Sequence, residues 1–416
     1  MSAAELSLFA LLAVIIVSLT SRINIGVLAI ALAAAVAIPA AGWTPNQVMA
    51  EFPNGLFLTL VGVTLLFGIA QKNGTLEAIT QRVVGLCGGR TALLPLAFFL
   101  LAGVLSAAGP GAIAATALVV PLAMVAGVRA RIPVFLIALM VANGANAGNL
   151  SPVSAVGIIV LAQMDLTGLS GYEANVFLAN FVAHTAVALA AYVLFGGLQL
   201  LRAGRAELPV TTPEPFTGIR WFTIFVLSIW IVGVVVFKLN PGVTAFGAAA
   251  ILIVGKATDD GSAMASVPWG IILMVSGVSV LIGVMDEIGG LDRFTEILAS
   301  VATPGSANGV MAFVTGIIST YSSTSGVVYP AFLPTVPGLI EQLGGGDALE
   351  LALSINVGSA LVDVSPLSTI GALSVAALPQ GAEDPAVLFR KMLIWGFSMS
   401  VVGALFCQLF IGFFTW

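Results

Sequence analysis

The stretch PNGLFLTLVGVTLLFGIAQKNGTLEAIT at residues 53–80 returns, without gaps and at an offset of 215, as PWGIILMVSGVSVLIGVMDEIGGLDRFT at residues 268–295. Ten of the 28 positions are identical, and Gly62, Gly68, Gly74 and Leu76 fall on Gly277, Gly283, Gly289 and Leu291. A second echo lies further on: NLSPVSAVG at 149–157 matches DVSPLSTIG at 363–371, at an offset of 214. Composition alone rarely holds such spacings, so the chain reads as two homologous halves of about 210 residues. It is 59% hydrophobic and 8% charged, against about a quarter charged in soluble domains. Apolar runs near the ~20 residues that cross a hydrocarbon core recur from end to end, so lipid is the solvent and one membrane domain accounts for the whole chain.

Outward from these anchors, the first repeat (1–205) reads as scaffold helices within 5–71, at 5–21, 23–41 and 54–71. An amphipathic interfacial arm at 74–88, a hairpin over 91–128, a broken helix over 132–162 and a last helix at 174–200 follow. The hairpin legs, 91–106 and 112–128, join at Ser-Ala-Ala-Gly-Pro-Gly, a turn too tight and apolar for an exposed loop. After a cytoplasmic linker at 206–220, the second repeat (221–416) keeps the order. Its scaffold helices lie within 221–285 (221–238, 241–255 and 267–285), its arm at 289–303, and its hairpin over 306–341. A broken helix at 348–378 and a final helix at 387–414 complete it. Because a re-entrant hairpin leaves by the side it came from, each half crosses five times, and an odd number inverts the second half. The expected fold is therefore an all-α polytopic membrane protein of two inverted repeats.

Cation placement tests that count. With the segment after the third helix facing the cytoplasm, the inside collects Arg22, Lys72, Arg82, Arg90, Arg129, Arg131, Arg202, Arg205, Arg220, Lys256, Arg390 and Lys391, and the outside only Lys238 and Arg293. Twelve against two favours ten crossings with both termini outside, in a bacterial inner membrane. The first ten residues lack a basic n-region and run into further spans, so they read as a retained helix. Cys87 and Cys407 read as inert membrane thiols, and no basic cluster suggests nucleic acid.

Non-helical backbone at membrane depth leaves polar groups that only protein, water or a solute can satisfy, so the breaks are candidate sites. Helix N-termini there suit a carboxylate, while freed carbonyls and helix C-termini suit a cation. Gly111, Asn149, Ser151, Pro152, Ser154, Ser323, Thr324, Ser325, Gly326, Ser365, Pro366, Ser368 and Thr369 are expected to bind the substrate. Ser106, Asn143, Asn146, Ser319, Asn356 and Asp363 are expected to bind cations. No Arg or Lys lies mid-span, so amides and hydroxyls would hold an anion, with coupling cations balancing its charge. Asp363 is the only acidic group at membrane depth, where a charge costs about 2.5–3.5 kcal/mol on insertion scales. Exchanging Asp363 for Asn is expected to alter cation dependence, and removing the Thr324 or Ser325 hydroxyl to alter substrate affinity. His184 reads as a hydrogen-bonded packing histidine outside the site. Tyr321 either contacts substrate or caps the second hairpin.

The run FPNGLFLTLVGVTLLFGIAQKNGTL at 52–76 resembles the N-terminal signature of the bacterial malonate/dicarboxylate carriers, and the tip YSSTSGVVYP at 321–330 and the break SPLST at 365–369 are similar too. The resemblance covers essentially the whole chain. It extends to the ion-transporter superfamily that includes the divalent-anion/sodium symporters. It implies a scaffold domain (1–72 and 218–285), an elevator-like transport domain and a homodimer. The symporters carry Ser-Asn-Thr at both tips, where this chain has Gly111-Ala-Ile113 and Thr324-Ser-Gly326. Their Thr-Pro-Pro-Asn breaks stand here as Ser-Pro-Val-Ser and Ser-Pro-Leu-Ser. The halves are thus chemically unequal. The expected function is symport of malonate or another C3/C4 dicarboxylate, coupled to sodium or protons, with no cofactor and no metal beyond sodium ions. Alternatives are a cation/proton antiporter or arsenite-type efflux transporter of the same architecture, and an anion channel. Neither HExxH nor GxSxG occurs, so an enzyme is not expected.

Overall fold

Residues 2–20, 23–86, 90–203, 215–237, 239–379 and 381–416 are described by the computed structural model. Arg22, Cys87, Arg205, Lys238 and linker residues 206–214 lie outside the described residues, as do the side chains of Arg202 and Tyr321. Among the described residues the secondary structure is helical throughout.

The first half runs Ala3–Thr20, Ile25–Ala41, Asn54–Lys72, the arm Thr75–Leu86, hairpin legs Leu93–Ala107 and Gly111–Arg129, the broken pair Val134–Gly148 and Ala155–Leu166, and Glu173–Leu194. The second half answers in the same order, with Gly218–Val235, Pro241–Val254, Trp269–Glu287, the arm Gly290–Ser300, a hairpin beginning with Ala307–Tyr321, the broken pair Ala348–Leu361 and Thr369–Ala376, and Pro385–Phe410. Among the described residues six helices are long and apolar enough to cross a membrane, counting the broken Ala348–Ala376 as one, and shorter apolar helices accompany them.

Two elements were not foreseen. Pro45–Ala50 and Asp260–Ala265, again 215 residues apart, each precede the third helix of their half. Six residues are too few for a periodic signal, but each has a cap: Thr44 forms a capping box with Gln47, and the Asp259 carboxylate accepts from the Ser262 N–H at 2.8 Å. The second hairpin also departs from expectation. Its returning leg, expected as one helix, is a π-helical turn Thr324–Val328, a short helix Tyr329–Phe332, a tight turn Leu333–Thr335 and Val336–Leu343. Pro330, Pro334 and Pro337 lack the N–H that a continuous helix needs, which accounts for the segmentation.

The halves interlock reciprocally. Ile25–Ala41 packs on Trp269–Glu287, and Pro241–Val254 packs on Asn54–Lys72, so the second helix of each half meets the third helix of the other. Contact is backbone to backbone. A Cβ added at Gly277 would lie 2.2 Å from the Gly26 carbonyl oxygen, and one at Gly62 would lie 2.6 Å from that of Gly242. Lipid offers no hydrophobic drive between helices, so such close approach, and the dispersion it allows, holds them together. The repeated Gly62 and Gly277 are thus the two crossing points of one interlock.

Candidate functional site

Both broken helices stop for the same reason. A proline three residues past Asn149 or Asp363 offers no N–H and disfavours a helical residue before it, so the first half-helix ends and an extended residue must follow. The residue before the proline is extended accordingly, as at Ser365 (ψ 140°), and two residues past the proline Ser154 (ψ 152°) or Ser368 (ψ 161°) is extended again as the N-cap of the next half-helix. The two turns have the same internal wiring. The Ser154 hydroxyl donates to the Asn149 carbonyl and accepts from the Gly157 N–H at 3.0 Å, while the Ser368 hydroxyl donates to the Asp363 carbonyl and accepts from the Gly371 N–H at 3.4 Å. Ser151 Oγ accepts from the Val153 N–H, and Ser365 Oγ accepts from the Leu367 N–H. The shared S-P-x-S-x-x-G text is therefore the covalent form of a self-closing turn.

What differs is the residue at the head of each turn. Asn149 Oδ1 accepts from the Ala112 backbone N–H at 2.9 Å and so ties the first break to the first hairpin tip. At the equivalent position, Asp363 Oδ1 accepts from Thr324 Oγ1 at 2.6 Å and from Ser319 Oγ at 3.4 Å, tying the second break to the second tip. Gly111 has no hydroxyl to match Thr324, and a Cβ there would sit 3.4 Å from Asn149 Oδ1, so a backbone amide replaces the side chain.

The two tips and two breaks surround one cavity of about 300 Å³. Its walls are Ala112 and Ile113 of the first tip, Asn149 and Val156 of the first break, Ser322–Ser325 of the second tip, and Asp363 and Leu367–Ile370 of the second break. Ile23, Ile25, Ile271 and Met274 close it from the interlocked helices. Among the lining residues Asp363 is the sole ionisable group. From the tips and breaks alone, the first turns of four helical segments contribute to the wall, and first-turn N–H groups lack partners within their own helix. The cavity thus presents donors for an anion and one carboxylate for a cation.

Of the residues expected to bind substrate, Asn149, Ser323, Thr324, Ser325, Ser368 and Thr369 line this cavity, and Gly111 lines a smaller neighbouring one. Ser151, Pro152, Ser154, Gly326, Ser365 and Pro366 do not line it; they shape the turns. Of those expected to hold cations, Asp363 lines the cavity and Ser319 stands behind it, bonded to Asp363, to Thr324 and, at 2.9 Å, to the Ser359 carbonyl. Ser106, Asn143, Asn146 and Asn356 are fully buried elsewhere. Asn143 donates to the Leu139 carbonyl, which fixes its Oδ1 as an acceptor, and His184 Nδ1 lies 3.1 Å from that oxygen and therefore carries the proton. His184 is thus hydrogen-bonded and buried, as read from the sequence. Thr324 and Asp363 touch, so the separate effects expected of their replacement do not follow from the geometry. Sequence reasoning missed the Ala112 amide, which no side-chain letter announces, and the apolar wall from the interlocked helices.

Ser154 tests the difference between shaping and binding. Loss of an N-cap hydroxyl costs about 0.5–2 kcal/mol. Ser154→Ala should lower the melting temperature of the purified protein by a few degrees and leave substrate half-saturation within about twofold; a rise of tenfold or more would make Ser154 a binding residue.

Helical among the described residues, with helices of membrane length around such a cavity, the chain has the build of a membrane transporter. Residues 1–149 match the family model described as dicarboxylate carrier protein MatC N-terminus, so the family resemblance holds over that segment. Among solved structures, the Alcanivorax borkumensis YdaH transporter is similar with a TM-score of 0.60 at 15% identity, over 88% of this chain and 88% of that one. Neisseria gonorrhoeae MtrF, described among a class of antimetabolite efflux pumps, gives a TM-score of 0.60 at 13% identity, over 98% of this chain and 94% of that one. At such identities the likeness is one of fold. No curated protein sequence matches the chain.

Proposed function

We propose that this transporter carries a small dicarboxylate, malonate or a C4 relative, in symport with sodium ions or protons. The observation that carries the reading is the cavity itself: hydroxyls of the second half and helix N-termini from both halves line it together with Asp363, the sole ionisable group among the lining residues. Each N-terminus offers roughly half a positive charge. A dicarboxylate beside an ionised Asp363 is repelled unless a cation neutralises the aspartate first, so cation binding precedes or accompanies substrate. The match of residues 1–149 to dicarboxylate carriers supports the substrate class.

In this reading the repeats are inverted, with both termini outside the inner membrane. The interlocked helices (1–72 and 218–285) form a fixed scaffold and homodimer interface. Hairpins, breaks and last helices move as an elevator, linked through the two arms. Proteoliposomes loaded with an ion gradient should accumulate radiolabelled malonate or succinate saturably, and collapse of that gradient should abolish accumulation. Absence of saturable uptake for every di- and tricarboxylate tried would overturn the proposal. Asp363 also favours a second reading, cation/proton antiport or efflux with this carboxyl as the proton carrier. Substrate-driven pH changes in everted vesicles would then replace substrate accumulation.

A further inference from the structure

Beside the polar cavity lies a second one of about 180 Å³, and the two share Ala112, Ile113, Val156, Ile271 and Ser325. The remaining walls of the second are mostly apolar, among them Leu60, Phe67, Ile159 and Ile272. Two of its polar residues are already engaged: Thr64 Oγ1 donates to the Leu60 carbonyl at 2.7 Å and Ser266 Oγ to the Ala263 carbonyl at 2.6 Å. Apart from Gln71 and the Ser325 it shares with the polar cavity, the walls available to a ligand there are those of a hydrocarbon slot.

The sizes divide the work. Taking the roughly 30 Å³ that one water occupies in the liquid as the measure, the polar cavity has room for about ten water-sized groups, more than the heavy atoms of malonate or succinate. By the same measure the slot holds about six more. An unsubstituted dicarboxylate leaves it unused.

We infer that the site takes dicarboxylates bearing an apolar substituent on the carbon chain, with both carboxylates in the polar cavity and the alkyl or aryl arm passing Ile113 and Ser325 into the slot. This rests on the dicarboxylate reading above and narrows its substrate class. The arm enters a preformed apolar space, so each methylene accommodated should tighten binding about fourfold.

The test is competition against uptake of radiolabelled malonate by proteoliposomes containing the full chain, with malonate, methylmalonate, propylmalonate, butylmalonate and benzylmalonate as competitors. Inhibition constants are expected to fall by about fourfold per methylene and to level off at about six heavy atoms. Hexanoate, with a similar arm and one carboxylate, should compete at least tenfold less well than butylmalonate. Ala114 lines the slot and is not part of the polar wall. Ala114→Phe should erase the advantage of butyl and benzyl arms and leave malonate within twofold, while Ile159→Ala should shift the optimum to a longer arm. Constants that are flat or rise with arm length, while malonate itself competes, would overturn the inference and leave the dicarboxylate reading standing. An equal loss for malonate and benzylmalonate in Ala114→Phe, with Ile159→Ala unchanged from wild type, would overturn it too. Failure of malonate, succinate and all their analogues to compete or accumulate would overturn both.

Discussion

Asp363→Asn is expected to fold, reach the membrane and lose coupled accumulation. Asparagine keeps the oxygen that accepts from Thr324 Oγ1 at 2.6 Å and from Ser319 Oγ at 3.4 Å, and it restores what the first half has at Asn149. The tie between break and tip therefore survives, and the change removes the charge and turns the second carboxylate oxygen into an N–H donor. A hydrogen bond to a charged group contributes about 1.5–3 kcal/mol, roughly twice a neutral one. The concentration of coupling cation at half-maximal uptake should rise by about 10- to 100-fold, with melting temperature within two degrees of wild type. Thr324→Val leaves the carboxylate with its longer bond to Ser319 only and loosens the tip, so cation and substrate affinities should fall together. Wild-type cation dependence in Asp363→Asn would remove Asp363 from the coupling mechanism.

Gly371→Ala and Gly157→Ala should be among the most damaging single-methyl additions outside the cavity wall. A Cβ at Gly371 would lie 2.1 Å from the Ser365 carbonyl oxygen, and one at Gly157 would lie 1.9 Å from that of Ser151. Both clashes are with backbone, so no rotamer relieves them, and the turn itself must open. Overpacking of this kind costs about 1–3 kcal/mol and occasionally more. Opening would also stretch the serine contacts that close the break and move Asn149 or Asp363 from the tip. Lower melting temperatures by several degrees and loss of most uptake are expected in both. Gly247→Ala, where an added methyl meets nothing within 4 Å, serves as the control and should leave both unchanged. A wild-type melting curve for Gly371→Ala would refute the self-closing turn.

Element order was legible because apolar runs of membrane length and Ser-Pro interruptions are local features, and the offsets of 215 and 214 located each element twice. Pro45–Ala50 and Asp260–Ala265 escaped for want of length, and the segmented return of the second hairpin escaped although its three prolines were in plain view. The site was legible in part. Asn149, Asp363 and the second tip line the cavity, and they were legible because polar residues at breaks stand out. Ser151, Ser154 and Ser365 were expected to face the substrate, yet they bond backbone in their own turn, the usual fate of hydroxyls in membrane helices. The Ala112 amide and the walls from Ile23, Ile271 and Met274 depend on folding segments far apart in sequence.

The breaks carry their own partners: Ser154 and Ser368 each bond both a carbonyl and an amide inside their own turn. Neither turn requires cargo to complete its wiring. An empty site of this construction keeps its shape, so the return journey without passenger carries no penalty for exposed turn backbone. For the proposed symport, net movement in either direction is then open, whereas a turn finished only by its solute would confine a carrier to swapping one molecule for another.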